Sequence, residues 1–130
     1  MGMNRIQDGH SILIAIPAGG CNSGGYTPSN STIATPGLPL SIGNDLVGVP
    51  ESTFAAGTTG NVVVKLDGAF GNMTLKTGDT PAIGDKLYLD TTDGYLTTTA
   101  SGNVWAGWCW SAPQVINNIT VCGLLLKKGG

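Results

Sequence analysis

Glycine or proline interrupts every stretch of this chain that could otherwise carry an amphipathic helix. No window keeps apolar residues at three- and four-residue spacing through three turns without one of them. Inside a helix each Gly costs about 1 kcal/mol and each Pro about 3 kcal/mol. With 21 glycines and 7 prolines among 130 residues, extended segments joined by turns are what the chain can form. The best short helical candidate is Pro50–Ala56, with Pro in a first turn and Gly57 as the stop.

Strand signals, in contrast, recur at even spacing. Asn61–Leu66 sets Val62, Val64 and Leu66 against Val63 and Lys65, and Lys86–Asp90 sets Leu87 and Leu89 against Lys86, Tyr88 and Asp90. Tyr95–Thr99 is rich in β-branched threonine, which suits a half-exposed pleated surface. Between these last two, Asp93-Gly94 supplies the positive φ of a hairpin turn. Leu38–Ile42, Leu46–Val49 and Met73–Lys76 are further short strands. Ser11–Ile16, Val104–Trp110 and Ile119–Leu126 are apolar on both faces, more than one small core requires. Such strands either cross the middle of the fold or meet another subunit, and a mixture of the two is expected. The expected fold is all-β: a small single-domain β-barrel or sandwich of about eight or nine short strands, with at most one short helical turn. Residues 1–10 read as a polar N-terminal arm, and 11–130 as a single β domain. A long loop at about 18–37 (Ala18–Thr35 being most of it) carries little structure of its own.

Charge narrows the partners. Net charge is −2, with six scattered basic residues, so the clustered cationic face that nucleic acid requires is not expected. The longest apolar run, Ile12–Ile16, falls far short of the ~20 residues that span a bilayer, so no membrane is expected. Met1–His10 lacks an apolar segment of signal-peptide length, which points to synthesis in the cytoplasm. Cys21, Cys109 and Cys122 read as reduced, small apolar groups, with a Cys109–Cys122 bridge left open by spacing alone.

Catalytic chemistry finds little material. His10 is the only histidine, so any Ser/His/Asp or Cys/His arrangement would hang from the terminal arm. One His and three Cys at no recognised spacing do not make a zinc site, and no cofactor is expected. Asp90-Thr-Thr-Asp93-Gly94 lacks the distal Glu of a calcium loop. Asp79, Asp85, Asp90 and Asp93 all lie near turn glycines, where Asp caps backbone N–H groups; a paired acid/base site at Asp79 or Asp85 is the hydrolase alternative. Gly78–Gly84 is followed by Asp85 rather than Lys, which removes a nucleotide P-loop. Asn30-Ser-Thr, Asn72-Met-Thr and Asn118-Ile-Thr match a glycosylation pattern that an Asn/Thr-rich chain produces by chance. The overall expectation is no enzyme.

Trp105, Trp108 and Trp110 fall within six residues. Alternation places Trp108 and Trp110 on one face and Trp105 on the other, with at least two in the core and the third free for a subunit contact.

From Leu38 onward the order of features resembles the phage capsid cement (decoration) proteins, a small β-rich family often labelled as RecA/RadA-type recombinase. The matching features are Asp45-Leu-Val-Gly-Val49, Ala55-Ala-Gly57 and Asn61–Leu66 leading into Gly68-Ala-Phe70. Ala82-Ile-Gly-Asp-Lys-Leu-Tyr-Leu-Asp90, the Asp93-Gly94 hairpin into Leu96–Thr99, and Ala106-Gly107 before the apolar last strand complete them. The stretch Cys21–Thr35 and the Trp-rich penultimate strand depart from the family's usual pattern, and the recombinase label finds neither P-loop nor basic surface here. The resemblance implies a structural virion protein on the capsid exterior, bound to the major capsid protein where capsomers meet and stabilising the expanded shell. It also implies a homo-oligomer, a trimer in preference to a dimer. Candidate contacts are Met3, Asn4, Arg5 and Ile6 of the arm, Tyr26 of the loop, and Trp105 and Trp108. The alternative reading is a glycan-binding or tail-associated receptor-recognition module built on the tryptophans.

Overall fold

A computed structural model describes residues 11–23, 25–27, 32–35, 37–43, 46–116 and 118–127. These are all-β, with no helix among the described residues and hence none that could cross a membrane. Nine strands form two sheets. The first is four-stranded, in the order β1 (Ser11–Ala15), β6 (Asn61–Lys65), β5 (Leu46–Pro50) and β4 (Leu40–Gly43). The second runs β7 (Ala69–Thr74), β11 (Ile119–Leu126), β10 (Val104–Ile116), β8 (Lys86–Leu89) and β9 (Leu96–Thr97). All the paired strands within the sheets are antiparallel, and Gly37 stitches in beside β7 by accepting from Thr74 N–H and donating to Asn72 C=O.

Alternation does most of this work. Val62 and Val64 of β6, with Leu66 just beyond it, are buried on one side, as are Leu87 and Leu89 of β8. The larger apolar cluster gathers Val47 and Val49 of β5 with Met73, Leu75, Leu87, Leu89, Leu96 and the inner residues of β10 and β11. A second cluster sets Val62, Val64 and Leu66 against Ile12, Ile14, Leu40 and Phe54. The β8–β9 hairpin closes as its Asp-Gly pair predicts. Gly94 takes φ +80° and donates to Asp90 C=O, while the Asp90 carboxylate accepts from Thr92 N–H and pairs with Lys76 Nζ at 2.8 Å.

Two expectations are corrected. Residues 50–56 are not helical: Pro50 ends β5, and Phe54 exchanges both backbone hydrogen bonds with Cys21 at 3.0 Å, which holds it extended. The segment read as a loop contains a two-stranded pair, β2 (Gly25–Thr27) with β3 (Thr32–Thr35). Short threonine-bearing segments pair there without the apolar alternation by which strands are usually recognised.

The two-faced strands differ in what they bury. In β11, Val121, Cys122, Leu124 and Leu126 are all buried, so this strand does cross the middle of its sheet. Leu13 of β1 is 57% exposed, Trp110 of β10 is 43% exposed and Leu125 of β11 is 40% exposed. Second apolar faces therefore look outward from both sheets. All three cysteines are free and buried. Burial pushes the Cys122 thiol up to about 12 and raises that of Cys109, with which it shares a hydrogen bond.

Candidate interaction face

The outer surface of the five-stranded sheet is organised by one irregularity. Along β8 the partners of β10 run Trp105↔Tyr88, then Gly107↔Leu87 and Trp108↔Lys86, so Ala106 is an extra residue on the β10 side. This is a β-bulge, and it resets the alternation that follows. Glycine is required at its centre, because a Cβ on Gly107 would run into the carbonyl oxygen of Leu125 and lie 2.9 Å from Lys127 N. Ala106 and Cys109 therefore both face the core, while Trp105, Trp108 and Trp110 all turn outward.

The expected split of the tryptophans is thus overturned. Trp105 and Trp108 share a face and touch edge to face, with ring centroids 5.2 Å apart and planes at 90°. Neither is in the core; both are half-buried. Trp105 donates its Nε1–H to Gly107 C=O at 3.0 Å, which ties the ring to the bulge that exposes it. Trp110 lies across β11 over Gly123, where any Cβ would come within 2.7 Å of the indole, and donates its Nε1–H to Phe70 C=O at 3.0 Å. Leu125 stands opposite Trp108 in register and next to Ala69 of β7, extending the apolar surface towards the sheet edge.

Two cations border this surface. Lys86 Nζ lies 5.0 Å and Lys127 Nζ 5.5 Å from the centroid of Trp105, within reach of cation–π attraction. Lys127 buries nearly all of its length, being 8% exposed, and donates its backbone N–H to Ala106 C=O.

The carboxylates serve turns. Asp79 accepts from Thr97 Oγ1 at 2.7 Å and from Thr98 N–H at 3.0 Å, and Asp85 accepts from Ala82 N–H at 2.9 Å. Lys76 beside Asp90 holds that carboxyl below its ordinary range, helped by the Thr92 N–H. A groove of about 280 Å³ runs between Thr77–Thr80 and the far end of β10, lined by Pro113, Val115 and Thr120, and it is largely apolar. No group of three His, Cys, Asp or Glu side chains gathers as a metal site among the described residues.

Of the candidate contacts, the structure brings together Trp105 and Trp108. Met3, Asn4, Arg5 and Ile6 lie outside the described residues, as does His10. Tyr26 belongs to β2, with its side chain outside the described residues. Lys86, Lys127, Trp110 and Leu125 were not singled out by sequence. The pairing of Lys86 with Trp108 depends on a register that only the bulge sets.

The five-stranded sheet thus turns Trp105, Trp108 and Trp110 to its outer surface, while the carboxylates of Asp79, Asp85 and Asp90 are held in turns. The chain belongs to the phage cement protein family, whose model matches residues 6–121. It is accordingly a structural phage protein, and the family gives no sign of an enzyme. No curated protein and no solved structure matches the chain.

Proposed function

We propose that this chain binds the outer surface of the mature capsid where capsomers meet, with the major capsid protein as its partner, and stabilises the expanded shell. Membership of the cement family supports the capsid as partner. The observation that carries the reading is the outward aromatic face of the five-stranded sheet, where Trp105, Trp108, Trp110 and Leu125 lie at the surface of a folded chain. Aromatic residues anchor protein interfaces because they bury large area with few rotatable bonds. In this reading residues 11–130 form one β domain, and 1–10 an arm that orders on the shell by adding a strand to a capsid sheet edge.

The mechanism needs no reaction. A protein that binds the expanded shell better than its precursor stabilises that state by RT ln(1 + [L]/Kd) at each site, about 2.7 kcal/mol when free protein stands at 100 times Kd. Association into a trimer lets one body grip several capsid subunits, so that weak contacts act together. The protein is made in the host cytoplasm and resides on the virion exterior.

The test is co-sedimentation of the purified chain with expanded and unexpanded shells of the phage that encodes it. Saturable binding to the expanded shell alone is expected, and absence of binding to either removes the proposal. Deleting Met1–Ile6 is expected to weaken binding while leaving the melting temperature in place; unchanged affinity would sink the role of the arm. The glycan alternative predicts a saccharide-dependent change in tryptophan fluorescence. What flanks Trp105 among the described residues, however, is two ammonium groups and the edge of a second indole.

A further inference from the structure

The described residues include four lysines and no arginine. Lys65 pairs with Glu51 at 3.0 Å, and Lys76 pairs with Asp90 at 2.8 Å and Asp93 at 3.7 Å. Lys86 and Lys127 have no carboxylate partner among the described residues, and both come to within 5.5 Å of one indole centroid. In a chain of net charge −2, the two lysines that have no carboxylate partner among the described residues thus both lie on the apolar, aromatic face.

This combination has a defined complement. An indole face attracts an ammonium group but does not neutralise it, so two ammonium groups beside one ring repel each other until an anion arrives. Trp108 and Leu125, opposite each other in register, offer apolar area immediately alongside. A carboxylate beside Trp105 would form charge-assisted hydrogen bonds with the ammonium groups that border the ring. Its neighbouring apolar side chains would cover Trp108 and Leu125.

We infer that the outer face of the five-stranded sheet docks an acidic segment of the shell protein, with a carboxylate received by Lys86 and Lys127 beside Trp105 and the adjoining apolar residues seated on Trp108 and Leu125. The inference rests on the capsid-binding reading and names the chemistry of the partner at that contact.

The experiment is the same co-sedimentation with expanded shells, run on the full chain and on Lys86→Gln and Lys86→Glu. Lys86 is exposed, and its side chain holds no other described contact than the one with Trp105, so both variants fold. Lys86→Glu is expected to weaken binding roughly tenfold or more by setting like charges against each other, and Lys86→Gln to weaken it less. Added salt should weaken the unaltered chain more than Lys86→Gln. Equal binding by all three chains overturns the acidic-segment assignment while leaving capsid binding intact; no binding by the unaltered chain removes both. Sedimentation velocity of the free chains covers the other occupant. If Lys86→Glu lowers the oligomeric mass, the face joins copies of this chain and the assignment is overturned.

Discussion

Replacing Gly107 by alanine tests the bulge on which the aromatic face depends. The added Cβ meets backbone on the neighbouring strand: the carbonyl oxygen of Leu125, its carbonyl carbon at 2.9 Å and Lys127 N at 2.9 Å. Backbone cannot rotate aside as a side chain can, so β10 and β11 must separate locally. The bond from Lys127 N–H to Ala106 C=O, 2.9 Å long, is then weakened. Overpacking of this kind costs typically about 1–3 kcal/mol, and a disturbed buried hydrogen bond adds about 1 kcal/mol. Together these give a loss of about 2–4 kcal/mol, a large part of the 5–15 kcal/mol that holds a domain folded. The control is Gly71→Ala in β7, where nothing lies within 4 Å of the new Cβ and φ is not positive; a change within about 0.5 kcal/mol is expected there. Urea unfolding followed by far-UV circular dichroism measures both without relying on the tryptophans. A loss below about 1 kcal/mol for Gly107→Ala, or an equal loss for Gly71→Ala, would refute the claim that close backbone approach selects glycine at this position.

Three further outcomes follow from the packing and the charges. Leu124→Ala empties a site that is 0% exposed in the larger cluster and is expected to cost about 3–4 kcal/mol in the same urea experiment. The three thiols should resist a thiol reagent at pH 8 in the folded chain and react promptly after unfolding, since all are buried and the Cys122 thiol is pushed up to about 12. Lys76 depresses the Asp90 pKa in the folded chain, so the contribution of Asp90 to stability is present above its ordinary value of 3.8 and is lost as pH falls through the depressed folded value. Asp90→Asn should therefore show a smaller loss of stability than the unaltered chain when both are titrated below pH 3.8 and followed by circular dichroism.

What could be read in advance is what local alternation governs. Leu87 and Leu89 point inward, and Lys86 and Tyr88 away, because nothing disturbs the period-two pleat of β8. Asp93-Gly94 turns because the positive φ there is a local demand. The pair β2–β3 escaped because segments of three and four residues are too short to leave a periodic trace. The length of β10 escaped for a different reason. Beyond Cys109 it pairs with β11, running on through Pro113 to Ile116, and a proline in mid-strand reads as a stop until the partner is known.

The tryptophans show why the interaction face was hidden. With strict alternation from Val104, which packs against the larger cluster, Trp105 and Cys109 would face outward and Trp108 inward, into space that Cys109 fills instead. A single extra residue exchanges the two outcomes: small side chains go to the core and large ones to the surface. The bulge thus moves an indole out of a core that has no room for it and sets it against a second one at 5.2 Å. Stability and adhesion are thereby tied to one glycine, for whatever flattens the bulge drives Trp108 towards the core and breaks up the surface that Trp105 and Trp108 form together.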